Sequence, residues 1–225
     1  KAARRLGITP LYQGEDFTGA ADNGRLAYQD EAGLLDLPAP GLIGPHQFEN
    51  AALAIAAVRH FGLPVTEAQI ASGLRNVYWP ARLMPLKGKL RDLLPAGDEL
   101  WLDGGHNAHG AAALAVALEE MQAARPKPLV IILGMMNNRT PTDFLAPFKG
   151  KVAKVYGLGI PGEQNAHSAA TIAGAAKGAG FDAEAKSSVI GALKSAAGIP
   201  GARVVICGSL YLAGDVLYRN GTPPV

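Results

Sequence analysis

The 225-residue sequence contains one cysteine, Cys207, and that scarcity already closes two routes to stability and chemistry. A single thiol builds neither a disulfide framework nor a multi-cysteine zinc site, so Cys207 reads as a buried thiol in a reducing compartment. Charge of one sign is equally scarce. With 21 Lys and Arg against 19 Asp and Glu, the formal net charge of +2 offers no broad basic face for nucleic acid. No window approaches the roughly 20 unbroken apolar residues that a membrane-spanning helix needs. The start, Lys1-Ala-Ala-Arg-Arg-Leu6, has arginines but no hydrophobic segment behind them, unlike a secretory signal. No nucleic-acid or membrane partner is therefore expected, and the expected location is cytoplasmic.

What is present is a globular composition, 48% apolar, with 28 Gly and 16 Pro spread between apolar runs as turn punctuation. The length suits one large domain or two small ones. The runs RLAYQ and GLLDL between Arg25 and Leu37, separated by Asp30-Glu31-Ala32-Gly33, read as a hairpin. An alanine-rich helix from Gln47 to Phe61 carries Leu53, Ala54, Ala57 and Val58 on one face and stops at Gly62. Thr66 caps a second helix running to about Asn76. This portion reads as helix-rich, without a sheet large enough to stand alone.

At Trp79-Pro80-Ala81-Arg82-Leu83-Met84-Pro85 the pattern changes, and prolines around a short extended piece mark a hinge. Beyond it, strands near 100–102, 129–133, 152–158, 183–185 and 203–207 alternate with helices near 109–124, 141–148, 168–179, 188–197 and 209–218. Repeated strand–helix alternation with almost continuous Val/Ile/Leu strands predicts an α/β fold: a Rossmann-like, mostly parallel sheet with helices on both faces. The expected domains are 1–84 and 85–225.

Gly157-Leu158-Gly159-Ile160-Pro161-Gly162 matches the dinucleotide fingerprint, with Asp182 about 20 residues further on. In a real dinucleotide site the helix begins inside the motif, so that its amides meet the pyrophosphate. Here Pro161 to Asn165 keeps the chain in a loop and Ser168 is the better cap, so a nicotinamide dehydrogenase is rejected. The stronger candidate is Leu102-Asp103-Gly104-Gly105-His106-Asn107. It places a carboxylate and an imidazole where the first parallel strand ends, the usual ligand edge of open α/β sheets. The plain alternative is that Asp103 and Asn107 only form turns and cap the next helix. Asn50, in Gly44-Pro45-His46-Gln47-Phe48-Glu49-Asn50, could read a base edge, or could face solvent at a helix N-terminus. Arg82 in the hinge could clamp a phosphate, or lie exposed on the surface. His60 and His167 have no partners visible in sequence and read as surface or capping residues.

In order, His46-Gln47-x-x-Asn50-Ala51, Trp79-Pro80-x-Arg82 and Leu102-Asp103-Gly104-x-His106-Asn107 resemble the folylpolyglutamate synthase/dihydrofolate synthase family of Mur-type amide ligases. Gly208-Ser209-Leu210-Tyr211-Leu212 is similar to that family's last strand-to-helix turn. The resemblance implies a ligase that phosphorylates a folate or dihydropteroate carboxyl with MgATP and couples the acyl phosphate to L-glutamate. It implies that Asn50 contacts adenine and Asp103 the ribose, and that Arg82 holds the transferring phosphates. His106 would lie near the phosphate and the incoming glutamate, and Ser209 would help to bind the glutamate. The complete enzyme is expected to be a monomer. Gly105 and Ala108 replace the family's usual alanine and proline. Asn137-Asn138-Arg139-Thr140-Pro141 replaces its aspartate-lysine-aspartate cluster, and no catalytic role is assigned to that loop.

A triphosphate cradle G-x-x-x-x-G-K-[ST] is missing: Gly88-Lys89 and Gly150-Lys151 are followed by Leu90 and Val152. The resemblance implies that the cradle, the Mg2+ ligands and a modified lysine precede Lys1. Residues 1–84 would then be the tail of an ATP-binding domain, opening in mid-helix at KAARRLG, and 85–225 a whole glutamate-binding domain. The chain would be inactive alone, and its first helices would expose apolar surface. The rival expectations are a ligase of cell-wall nucleotide precursors and a non-catalytic small-molecule binding module.

Overall fold

The computed structural model describes residues 5–7 and 9–223, and the chain divides into two compact units, Lys1–Tyr78 and Trp79–Val225. Trp79 to Met84, read as the hinge, thus groups with the second unit. The helical register expected at the start falls largely on residues 1–4, outside the described residues.

The first unit contains a three-stranded antiparallel sheet, β1 Phe17–Asp22, β2 Arg25–Asp30 and β3 Gly33–Pro38, in that order. The hairpin expected at 25–37 is present; β1 was not anticipated. Asn23 at φ +48 and Gly24 at φ +75 make the tight turn joining β1 to β2, since a two-residue hairpin loop of this hand needs positive φ at both positions. Helix α1, His46–His60, packs Ala51, Ala52, Ile55 and Ala56 on Phe17, Leu26, Tyr28 and Leu37. The face singled out from sequence is turned outward instead, with Leu53 57% exposed. Close approach decides it: a Cβ on Gly19 would stand 2.2 Å from Ala52 Cβ, so only the alanine face seats against β1. Helix α2, Glu67–Asn76, has the expected Thr66 cap, completed by Gln69 as a reciprocal capping box. Exposed apolar surface is present on α1 at Leu53, and Phe61 and Leu63 are exposed in the segment that follows it.

The second unit is a six-stranded sheet. Its strands are β4 Met84–Pro85, β5 Glu99–Leu102, β6 Leu129–Leu133, β7 Lys154–Leu158, β8 Ala183–Lys186 and β9 Arg203–Cys207. The order is β4-β5-β9-β6-β7-β8; β4 runs antiparallel to β5 and the remaining pairs are parallel. Helices α3 Ala108–Ala124, α4 Pro141–Leu145 and α5 Ala169–Gly178 pack on one face, and α6 Val189–Ala196 and α7 Leu210–Asn220 on the other. Along β6, Leu129, Ile131 and Leu133 enter one core and Val130 and Ile132 the other. A strand buried on both faces cannot alternate apolar with polar, which is why these segments read as unbroken aliphatic runs. The predicted α/β sheet is therefore present, with strand limits at 129–133 and 203–207 as expected.

Candidate functional site

Strand β9 returns between β5 and β6, so the loops leaving β5, β6, β7 and β9 meet at the carboxyl edge where the strand order reverses, the usual ligand crevice of such sheets. Backbone hydrogen bonds stitch these loops together: Gly208 N to Gly105 O at 3.0 Å, Gly134 N to Cys207 O at 3.1 Å, and His167 N to Met135 O at 2.9 Å. His167 is not an isolated surface residue, because its Nε2 lies 2.8 Å from Arg139 O and ties the β7 loop to the β6 loop. Gly157 and Leu158 end β7, Gly159–Gly162 is loop, and α5 starts only after the Ser168 cap. The rejection of a dinucleotide fingerprint stands on that geometry.

Asp103 follows β5 directly and is buried. Its Oδ1 accepts from Gly105 N at 2.7 Å and its Oδ2 from Leu83 N at 2.8 Å. Gly104 N donates to Ala81 O at 2.7 Å. A Cβ on Gly104 would stand 2.4 Å from Leu210 Cδ2 and 3.3 Å from Ala81 O, so the turn passes close under the start of α7. Asn107 caps α3, its side chain accepting from Gly110 N at 2.8 Å. The turn-forming and capping roles of Asp103 and Asn107 are thus observed, alongside any ligand role. Arg82 is exposed, between the two residues that are bonded to this turn, and makes no ion pair or side-chain hydrogen bond among the described residues.

A cavity of about 230 Å³ opens at the same edge. His106, Asn138, Arg139, Ser209 and Tyr211 line it. His106 is exposed, with Nδ1 3.2 Å from Gly104 O. Ser209 is 2% exposed and caps α7, its Oγ accepting from Tyr211 N at 3.1 Å, which leaves the hydroxyl proton to donate. An N-terminal helix end, a guanidinium and an imidazole around one small cavity favour an anionic ligand. The structure brings His106 and Ser209 to this cavity and Arg82 and Asp103 to the adjoining turn.

Arg139 lines this cavity and was not among the residues singled out from the sequence. It occupies a loop whose residue types depart from the family pattern, and its only signal was its place just beyond a parallel strand. Asn50 belongs to the first unit, on the exposed side of α1, where its Nδ2 donates to Gln47 Oε1 at 3.1 Å. The larger cavity, about 910 Å³, is also in the first unit. It is lined by Glu15, Asp16, Asp30, Glu31 and Arg59 and contains none of the motif residues, so volume alone does not mark the site. Among the described residues no group of three or more His, Cys, Asp or Glu is placed to hold a metal ion.

Residues 95–210 match the family model of the Mur ligase glutamate ligase domain. The folylpolyglutamate synthase of Lacticaseibacillus casei is 29% identical over 198 residues, 85% of this chain and 42% of that protein. The crystal structure of folylpolyglutamate synthase from Thermotoga maritima superposes with a TM-score of 0.75 at 26% identity, covering 98% of this chain and 50% of that one. A bifunctional folylpolyglutamate synthase/dihydrofolate synthase solved with Mn, AMPPNP and L-glutamate shares the fold, with a TM-score of 0.79 at 22% identity over 96% of this chain and 49% of that one. This chain therefore spans about half the length of the proteins it matches.

Proposed function

Because this chain belongs to the Mur ligase family through the glutamate ligase domain, we propose that it is part of an ATP-dependent ligase joining L-glutamate to a folate or dihydropteroate carboxyl. The observation that carries this reading is the cavity at the strand edge, where His106, Arg139 and Ser209 converge within the matched segment. In the reaction, a substrate carboxylate oxygen attacks the γ-phosphorus of ATP and ADP leaves. The glutamate amine then attacks the acyl carbon, the C–O bond to phosphate breaks, and a proton is lost from nitrogen. Positioning and charge neutralisation carry such transfers.

On this reading Arg82 holds the transferring phosphates, Asp103 takes the ribose and Asn50 the adenine. Arg139, Ser209 and the α7 N-terminus hold the carboxylates of glutamate, and His106 stands beside the reacting phosphate. A divalent metal, Mg2+, would neutralise phosphate charge when bound; this chain offers no metal cluster of its own among the described residues. Residues 1–84 would be the end of an ATP-binding domain and 85–225 the glutamate-binding domain, acting in the cytoplasm as a monomer when complete. Without the triphosphate cradle the 225 residues alone would not turn over.

The test is glutamate-dependent ADP release by the complete protein. Asp103→Ala, His106→Ala and Arg82→Lys should each be poor, the last because an ammonium cannot reproduce the guanidinium fork. Arg139→Ala should raise KM for glutamate roughly 10- to 100-fold with a smaller effect on kcat, as expected for loss of a charge-assisted hydrogen bond. Near-normal turnover in Asp103→Ala and His106→Ala defeats the reading. Turnover by the 225-residue chain itself, assayed with ATP, glutamate and folate, defeats the claim of inactivity.

A further inference from the structure

Arg82 lies between two non-glycine residues in the left-handed region, Ala81 at φ +57 and Leu83 at φ +41. L-residues adopt that region at a cost and remain there only where their surroundings over-determine them. The surroundings here are specific. Ala81 O accepts from Gly104 N at 2.7 Å, and Leu83 N donates to Asp103 Oδ2 at 2.8 Å. The side chains of Ala81 and Leu83 are both buried, yet they enter the two different cores of the second unit. An extended passage would send residues i and i+2 to the same side. Reaching opposite cores therefore requires the turned backbone, and it leaves Arg82 as the residue directed outward.

We propose that Asp103 is a positioning residue for Arg82: by holding the Leu83 amide, its carboxylate keeps Ala81–Leu83 in this strained conformation and fixes where the guanidinium leaves the backbone. An ionised carboxylate suits the task, since it accepts from two amides at once through charge-assisted bonds. Asparagine is no substitute, because its amide nitrogen would face one of the two N–H donors. The importance of the arrangement rests on the reading of Arg82 as the phosphate-holding group. The conformational claim itself does not, so it is tested on the nucleotide-free chain, where its failure and the failure of the ligase reading are separate results.

In the isotopically labelled wild-type chain, Ala81 and Leu83 should show strong intraresidue amide–Hα NOEs, and Leu83 N should couple through its hydrogen bond to the Asp103 carboxyl carbon. In Asp103→Asn, exchange of the Leu83 amide should rise about tenfold or more, the loss expected for a hydrogen bond to a charged acceptor. The Arg82 Nε–H resonance and its NOEs should shift, while amides of β6 and β9 keep their protection. Adding Ala81→Gly, which removes the left-handed cost at one position, should restore the Arg82 pattern in the Asp103→Asn background. A merely structural loss would move the whole unit and would not be rescued. Unchanged Leu83 exchange and Arg82 resonances in Asp103→Asn overturn the proposal. Should that variant fail to fold, absence of the Leu83–Asp103 coupling in the wild-type chain overturns it, and its presence supports it.

Discussion

Gly208→Ala combines two separate costs that the structure sets, one conformational and one of packing. Gly208 sits at φ +105, and a Cβ there would meet Gly134 O and Leu133 Cδ1 at 2.6 Å and Met135 Cγ at 2.9 Å. The conformational part costs about 1–2 kcal/mol for a residue with a Cβ. The overpacking part costs about 1–3 kcal/mol, with little relief, because one neighbour is backbone at the end of a central strand. The sum, about 2–5 kcal/mol, is a large share of the ~5–15 kcal/mol that holds a typical domain folded.

Gly150→Ala separates the two parts. Gly150 has φ +76 with nothing within 4 Å of its would-be Cβ, so only the conformational cost of about 1–2 kcal/mol applies. Both tryptophans, Trp79 and Trp101, belong to the unit Trp79–Val225, so Trp fluorescence in urea follows that unit without interference from the first. The midpoint should fall with the slope unchanged. In a thermal scan, at about 2–4 °C per kcal/mol, Gly208→Ala should melt roughly 4–20 °C below wild type. If the two variants differ by less than about 0.5 kcal/mol, the size of an ordinary surface substitution, the close approach of the β6 and β9 loops does not carry the energy assigned to it.

Three further outcomes follow from local chemistry. Thr66→Ala should lose about 1 kcal/mol of local stability by removing the capping box, seen as faster amide exchange through Glu67–Asn76 with the α1 amides little changed. Cys207 is buried, and burial pushes its thiol well above the usual range. It should resist aromatic disulfide reagents in the native chain and react once in denaturant; rapid native labelling would contradict its placement. Burial, then the hydrogen bond to Asp30, pushes the Tyr28 hydroxyl up to about 12 from 10.0. A raised acid favours folding below the unfolded value and loses that contribution as pH climbs from 10.0 through about 12. Asp30→Asn should lower the Tyr28 midpoint in an alkaline absorbance titration only part of the way to 10.0, because burial is the larger cause; full return would invert that order.

Much of this architecture was written in short-range pattern. The aliphatic runs at 129–133 and 203–207, the caps at Thr66 and Ser168, and Pro161 breaking a false dinucleotide motif each depend on residues a few positions apart. The first strand was legible too, through Asn23-Gly24, but Phe17-Thr-Gly-Ala-Ala-Asp22 has little β-branched character and was passed over. The motif at Asp103–Asn107 was placeable at the carboxyl edge of the sheet, where the structure has it, because the end of a parallel strand is a place that sequence can mark.

Other features were decided by tertiary structure. Which face of α1 is buried depends on Gly19 admitting Ala52, residues brought together from a strand and a helix. The bond from Leu83 to Asp103, across 20 positions of sequence, turns a surface arginine into one with a fixed direction. Arg139 gained a place in the cavity only when β9 inserted between β5 and β6 and brought Ser209 and His106 to the same edge. The single cysteine, the balanced charge and the alternating runs fixed the class of molecule, since composition and periodicity govern what can be buried. The site needed the order of strands in the sheet, because contacts between distant segments are set by packing, and local spacing does not encode them.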